Sequence, residues 1–203
     1  MIAIIDYGVG NLFSLKSSFA AIGEEAAATG DPDIIRKADK LILPGVGAFE
    51  DAAVKLKESG IAEVIKEEAA SGKPLLGICL GMQLLFDRSL EYGEHDGLGL
   101  IKGVVKPMEG LISPELKIPH IGWNPLIIKK EHPLFSKINN GDCVYFVHSF
   151  FADECEDAVI ATAEYDIELT AAVAKDNIMG CQFHPEKSGD VGLDILKAFC
   201  KEM

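Results

Sequence analysis

The stretch Leu75-Leu76-Gly77-Ile78-Cys79-Leu80-Gly81-Met82-Gln83 decides the fold. Leu75–Ile78 is a short apolar run that reads as a buried strand, and Leu80–Phe86 carries the pattern of a helix. A strand passing straight into a helix through Gly-x-Cys-x-Gly is a nucleophile elbow with cysteine in place of serine. Such a turn is tight enough that flanking side chains would clash, and glycine removes them. In an open α/β sheet the elbow lifts residue 79 to the carboxyl ends of the strands, where ligands bind. The helix N-terminus behind it favours a thiolate, and the Leu80 N–H is placed to donate to an oxyanion. Taken alone, the pattern more often marks a buried cysteine in a glycine-rich turn.

Working toward the N-terminus, Ile2–Ile5 and Lys40–Leu43 read as further buried strands. Asn11–Ile22 reads as a helix, with Leu12, Leu15, Phe19 and Ile22 at helical spacing and Gly23 ending it. Ala48 to Ser71 reads as one or two helices, broken near Gly60. Alternating strands and helices predict a parallel sheet covered on both faces. The later half differs. Pro107, Pro114, Pro119, Pro125 and Pro133 punctuate short extended segments. Cys143–His148, Ala158–Ala161, Ala171–Ala174 and Ile178–Phe183 are predicted strands, and the gaps between them are too short for crossover helices, so antiparallel pairing is expected. Val191–Cys200 closes the chain as an amphipathic helix. No repeat or linker divides the sequence, which reads as one domain.

Composition narrows the function. The 203 residues are 48% hydrophobic and 25% charged, enough for a sizeable core without a disulfide or metal staple. Nineteen basic against 32 acidic residues give a net charge of −13, a field that repels nucleic acid and anionic membrane. The N-terminus has no basic leader, and no apolar run reaches membrane-spanning length, so a cytoplasmic location is expected. Five cysteines without a C-x-x-C pair fit a reducing compartment, with Cys143 and Cys181 as small buried hydrophobes. His95, His120, His132, His148 and His184 lack metal-ligand spacing, so neither metal nor cofactor is expected.

The elbow gains meaning from Phe183-His184-Pro185-Glu186. A residue before proline is held extended, and in an extended chain positions i and i+2 point the same way. Glu186 can then orient the His184 imidazole, which supplies the base of a Cys79–His184–Glu186 triad. The order Cys, His, Glu differs from the Ser, Asp/Glu, His order of α/β-hydrolases.

These residues resemble the class I (triad) glutamine amidotransferases. Asp6-Tyr7-Gly8-Val9-Gly10-Asn11-Leu12, Pro44-Gly45-Val46-Gly47-Ala48-Phe49, Pro119-His120-Ile121-Gly122-Trp123-Asn124, Tyr145-Phe146-Val147-His148-Ser149 and Pro185-Glu186-Lys187-Ser188-Gly189 are similar to segments of the glutaminase subunits of imidazole glycerol phosphate synthase. The resemblance spans the chain and implies a three-layer, flavodoxin-like α/β fold of one domain over residues 1–203. Its central sheet would be mostly parallel, with helices on both faces and an added antiparallel β section. It implies that Cys79 attacks the glutamine side-chain amide, that His184 carries the protons and that Glu186 holds His184. Val46, Gly47 and Leu80 would form the oxyanion hole, with one peptide of the Gly45–Gly47 loop flipping into place. Gly45, Gln83, Glu91, Ser149 and Phe150 would bind substrate; Glu94 competes with Glu91 for the ammonium, and Phe150 stands where a tyrosine is usual. Asn11, Trp123, Tyr145 and Lys187 would face a partner, a (β/α)8-barrel cyclase forming a heterodimer with this chain. Phe13 sits where polar or basic residues are common in the family. A core position for Trp123 is the competing expectation.

Other readings fit less well. Sister glutaminases serving the pyridoxal phosphate, anthranilate or guanylate routes usually show Pro-Gly-Gly where this chain has Pro44-Gly45-Val46-Gly47. Gly8-Val9-Gly10 after the first strand suggests a dinucleotide fingerprint, but the third glycine is replaced by Phe13. A non-enzymatic relative would not be expected to keep Cys79, His184, Glu186 and Gln83 together.

Overall fold

The alternation of apolar runs and helical repeats is realised directly in the computed structural model, which describes residues 1–203. The first half runs β1 (Ile2–Ile5), α1 (Leu12–Ala21), β2 (Ala26–Thr29), α2 (Pro32–Lys37), β3 (Lys40–Leu43), α3 (Phe49–Glu58), α4 (Ile61–Ala70), β4 (Leu75–Ile78) and α5 (Leu80–Gln83). Then come β5 (Phe86–Ser89), β6 (His95–Asp96), β7 (Ile101–Pro107), β8 (His120–Pro125), β9 (Ile127–Ile128), β10 (Cys143–His148) and β11 (Phe150–Asp153). The chain finishes with β12 (Val159–Tyr165), β13 (Ile167–Lys175), β14 (Ile178–Cys181) and α6 (Gly189–Glu202).

Eight strands form the central sheet in the order β2-β1-β3-β4-β14-β13-β12-β9. β2 through β14 pair in parallel, and β14, β13, β12 and β9 continue antiparallel. The parallel strands are buried on both faces because alternate side chains enter different cores. Ala3, Ile5, Leu41, Leu43 and Leu75 pack with residues of α2, α3 and α4. Ile2, Ile4, Ile42, Leu76 and Ile78 pack with Leu15 and Phe19 of α1 and Ile195, Leu196 and Phe199 of α6. A four-stranded sheet, β11-β7-β5-β6, and a two-stranded ribbon, β10-β8, lie beside this framework.

Local chemistry fixes the helix ends. The Asn11 side chain accepts from Ser14 N–H at 3.2 Å to cap α1. Asp31 accepts from Asp33 N–H at 2.8 Å, and Pro32 opens α2 without a donor to satisfy. At the end of α6, Lys40 Nζ donates to the carbonyls of Phe199, Cys200 and Met203 at 2.9, 2.5 and 2.7 Å. A cation there satisfies orphan carbonyls and opposes the helix dipole.

Two expectations are corrected. The helix predicted over Leu80–Phe86 stops after Gln83, and Phe86 begins β5. The carbonyls of Leu84, Leu85 and Phe86 are taken instead by Leu98, Leu100, Ile101 and Gly99 N–H groups. Cys143, expected to be buried, is exposed at the start of the β10-β8 ribbon, whereas Cys181 in the central sheet is fully buried. Predicted strands in the later half are also longer or shorter than read: β12 and β13 extend past Ala158–Ala161 and Ala171–Ala174, and β14 ends at Cys181. All five cysteines are free.

The elbow's packing gives a direct test. A Cβ added at Gly81 would lie 1.8 Å from the Leu43 carbonyl oxygen, and one at Gly77 would lie 2.6 Å from the Gly81 carbonyl. Neither contact can relax without moving sheet backbone. Gly81→Ala should therefore lose about 3 kcal/mol or more of stability, read as a shift of the urea midpoint.

Candidate active site

Cys79 leaves β4 with φ 55° and ψ −114°, outside the regions ordinary residues occupy. Its backbone N–H is held by the Cys181 carbonyl at 2.7 Å, continuing the β4–β14 pairing. Leu80 opens α5, so its N–H has no partner within the helix. The sulfur thus stands at the mouth of the sheet beside a free backbone donor.

His184 arrives three residues beyond the end of β14, the strand that pairs with β4 in the register Ile78↔Cys181. Its Nδ1 meets Glu186 Oε1 at 2.8 Å. The route differs from the expected one. His184 is extended, but Pro185–Lys187 forms a 3₁₀ turn, and it is this turn that swings Glu186 back beneath the ring. The Glu186 side chain is buried and its Oε2 has no hydrogen-bond partner, so the carboxylate is committed to the imidazole. Burial alone would lower the His184 pKa. Hydrogen bonds with Cys79 and Glu186, together with their charges, outweigh it and bring the value to about 9. His184 therefore holds its proton at neutral pH, next to the sulfur.

A cleft of about 400 Å³ opens over these groups, a volume suited to a small ligand. Val46, Gly47, Cys79, Leu80, Gln83, Glu91, Ser149, Phe150 and His184 line it, and so does Lys187, which was expected at a partner face. Glu91 is buried, and its Oε2 accepts from Phe49 N–H at 2.8 Å, at the start of α3. Burial raises its pKa, and the Phe49 hydrogen bond partly offsets this. The competing Glu94 is engaged on the surface with Arg88 at 2.9 Å. Gln83 Nε2 donates to the Phe150 carbonyl at 3.1 Å and to Gln182 Oε1 at 2.9 Å. Both its hydrogens are used, so its own carbonyl oxygen is the group it offers to the cleft.

Gly45, expected among the substrate-binding residues, lies against the elbow. It does not line the cleft; it packs against Gly81 N, Leu80 Cβ and the Tyr7 hydroxyl, each of which a Cβ would meet at 2.9 Å. Its role is to let the loop lie flat on the elbow. The residues expected at a partner face divide. Trp123 is 65% exposed, so it is no core residue. It stacks edge-on with Tyr145, and Lys187 Nζ stands 5.7 Å over the Tyr145 ring. Asn11 spends its side chain on the α1 cap. Phe13, beside it, is 81% exposed.

Sequence reasoning missed several groups. Tyr92, Pro119, Val147 and His148 also line the cleft. His148 Nδ1 lies 2.9 Å from the Phe150 carbonyl, which can only accept, so Nδ1 carries the proton. Its Nε2 then accepts from His120 Nδ1 at 3.1 Å. Burial holds the His148 pKa down to about 3. Tyr7 is buried and donates to the Pro44 carbonyl at 2.8 Å, tying the loop after β1 to the loop after β3. Gln182 Nε2 donates to Cys79 Sγ at 3.7 Å. No group of three or more His, Cys, Asp or Glu side chains converges to hold a metal ion. No helix is long and apolar enough to cross a membrane.

With this geometry in place, comparison with known proteins is direct. The sequence model for "Glutamine amidotransferase class-I" matches residues 3–203, and the chain belongs to that family. The imidazole glycerol phosphate synthase subunit HisH of Sulfurimonas denitrificans is 55% identical, over 99% of this chain and 98% of its own. The corresponding HisH subunit of Lactococcus lactis is 49% identical, over 100% of this chain and 98% of its own. Within the class, the chain falls in the HisH group. The PurLQS structure from Thermotoga maritima superposes with a TM-score of 0.78 at 23% identity, covering 99% of this chain and 97% of that one, and shares the fold.

Two outcomes follow from the site. The His184 pKa is raised above the ~6.5 of a free imidazole. Its protonation therefore stabilises the fold fully below about pH 6.5, and that contribution is lost as pH rises through about 9. In denaturant titrations across this range, the stability gap between wild type and His184→Asn should shrink toward alkaline pH. Tyr7→Phe leaves the Pro44 carbonyl short of its buried donor and should cost about 1 kcal/mol, seen as a lower urea midpoint.

Proposed function

We propose that this chain hydrolyses L-glutamine to glutamate and ammonia through a Cys79 thioester, and that it passes the ammonia to a cyclase subunit on another chain. The observation that carries the reading is the Cys79–His184–Glu186 arrangement at the mouth of one cleft, with His184 protonated beside the sulfur. Cys79 Sγ attacks the side-chain carbonyl carbon, and the oxyanion is met by the Leu80 N–H and by a peptide of the Val46–Gly47 loop. The carbon–nitrogen bond breaks as His184 gives its proton to the departing nitrogen. Water then adds to the thioester, His184 takes a proton from it, and the carbon–sulfur bond breaks to release glutamate. In this reading Glu91 and the Gln83 carbonyl oxygen take the substrate ammonium, and the Ser149–Phe150 backbone takes the α-carboxylate.

A partner is required on chemical grounds. Ammonia released into neutral water is mostly protonated and no longer nucleophilic. We take the partner to be a (β/α)8-barrel cyclase in a heterodimer, which adds the nitrogen to a phosphoribosyl-formimino intermediate. The products are imidazole glycerol phosphate and an aminoimidazole carboxamide ribotide, on the route to histidine. The 55% and 49% identity to HisH subunits supports this choice, as do the exposed aromatic side chains of Trp123 and Phe13. The whole chain then acts as one amidotransferase unit in the cytoplasm.

The isolated chain should hydrolyse glutamine slowly and be accelerated by the cyclase carrying its nucleotide ligand, through the Gly45–Gly47 loop. Full activity without a partner would refute the coupling. Cys79→Ala should abolish glutamine-dependent synthesis by the complex while synthesis from added ammonium salt persists. Loss of both would show that the division of labour is wrong.

A further inference from the structure

Gln182 lies between β14 and His184, fully buried and outside the lining of the cleft. Its side chain is nonetheless the one amide that reaches the nucleophile. The orientation of that amide is forced. The Phe150 carbonyl can only accept, so the Gln83 atom donating to it at 3.1 Å is Nε2. The same Gln83 Nε2 lies 2.9 Å from Gln182, so the Gln182 atom facing it is the oxygen. The amino group of Gln182 is thereby turned to Cys79 Sγ, at 3.7 Å. Its main chain is equally fixed, with Gln182 N–H donating to the Ala171 carbonyl at 2.8 Å. Sγ has two other polar neighbours, His184 and the Val147 carbonyl at 3.9 Å, and only His184 of these can donate to a negative sulfur.

The geometry points to Gln182 as a second hydrogen-bond donor to the Cys79 thiolate, oriented by Gln83. A thiol would offer the same amino group little; a thiolate accepts it, so the contact favours the charged, nucleophilic form. Gln83 would then serve twice, offering its oxygen to the cleft and setting the Gln182 amide behind it. This role rests on the glutaminase reading only for the use to which Cys79 is put.

The test follows alkylation of Cys79 in the isolated chain by iodoacetamide as a function of pH, read by mass spectrometry at that residue because Cys143 is exposed and reacts as well. Gln182→Met should move the pH of half-maximal alkylation upward by about one unit. Gln182→Glu keeps an oxygen for Gln83 and places another at the sulfur, and should move it further. In the complex, Gln182→Met should lower kcat about tenfold while KM for glutamine changes by less than about twofold, since Gln83 keeps its bond to the Phe150 carbonyl. A folded Gln182→Met protein with an unmoved midpoint overturns the inference, as does a raised KM at unchanged kcat. If neither Gln182 variant folds, Gln83→Leu decides: it leaves residue 182 in place but frees its amide, so an unmoved midpoint there is equally fatal. Alkylation uses neither glutamine nor partner. Failure of the glutaminase reading would appear elsewhere, as glutamine hydrolysis surviving in Cys79→Ala.

Discussion

The site depends on one pairing: β4 lies parallel to β14, with Ile78 opposite Cys181. Because the strands run the same way and end together, whatever follows each is delivered to the same rim. β4 delivers Cys79, and β14 delivers Gln182 and His184. The Cys79 N–H bonded to the Cys181 carbonyl extends this register into the elbow itself. A slip of one residue would turn every side chain of one strand to the opposite face. It would break both cores and the site at once, so stability and chemistry are specified by the same set of hydrogen bonds.

Much of this arrangement was legible in the sequence, for local reasons. Ile2–Ile5, Lys40–Leu43, Leu75–Ile78 and Cys143–His148 are apolar or alternating runs with clear punctuation, and they form strands with those limits. The break at Gly60 is real, with Gly60 at φ 74° between α3 and α4. β2 was missed because Ala26–Thr29 is alanine-rich and carries little strand propensity. α2, six residues long, is too short to show a period. β5 was misread because its backbone is claimed by residues 97–101, a partner no local window contains.

The site divides in the same way. Cys79, His184 and Glu186 stand in short motifs whose residue order carries the chemistry. Tyr7, His148 and Gln182 do not: each is a single buried polar residue whose meaning comes from a partner distant in sequence, as with Tyr7 and Pro44 or Gln182 and Cys79. Buried polar groups must find partners, but sequence does not say which. Glu186 illustrates a right outcome for an incomplete reason, since a 3₁₀ turn, not an extended chain, completes the contact.

The conformation of Cys79 has a consequence of another kind. A side chain held at φ 55° and ψ −114° carries strain that the rest of the domain must overcome. Glycine would sit there at ease. Catalysis and backbone ease are therefore opposed at this position: the residue that would relieve the strain is one without the sulfur. Selection for a working enzyme must hold against that gradient in every generation.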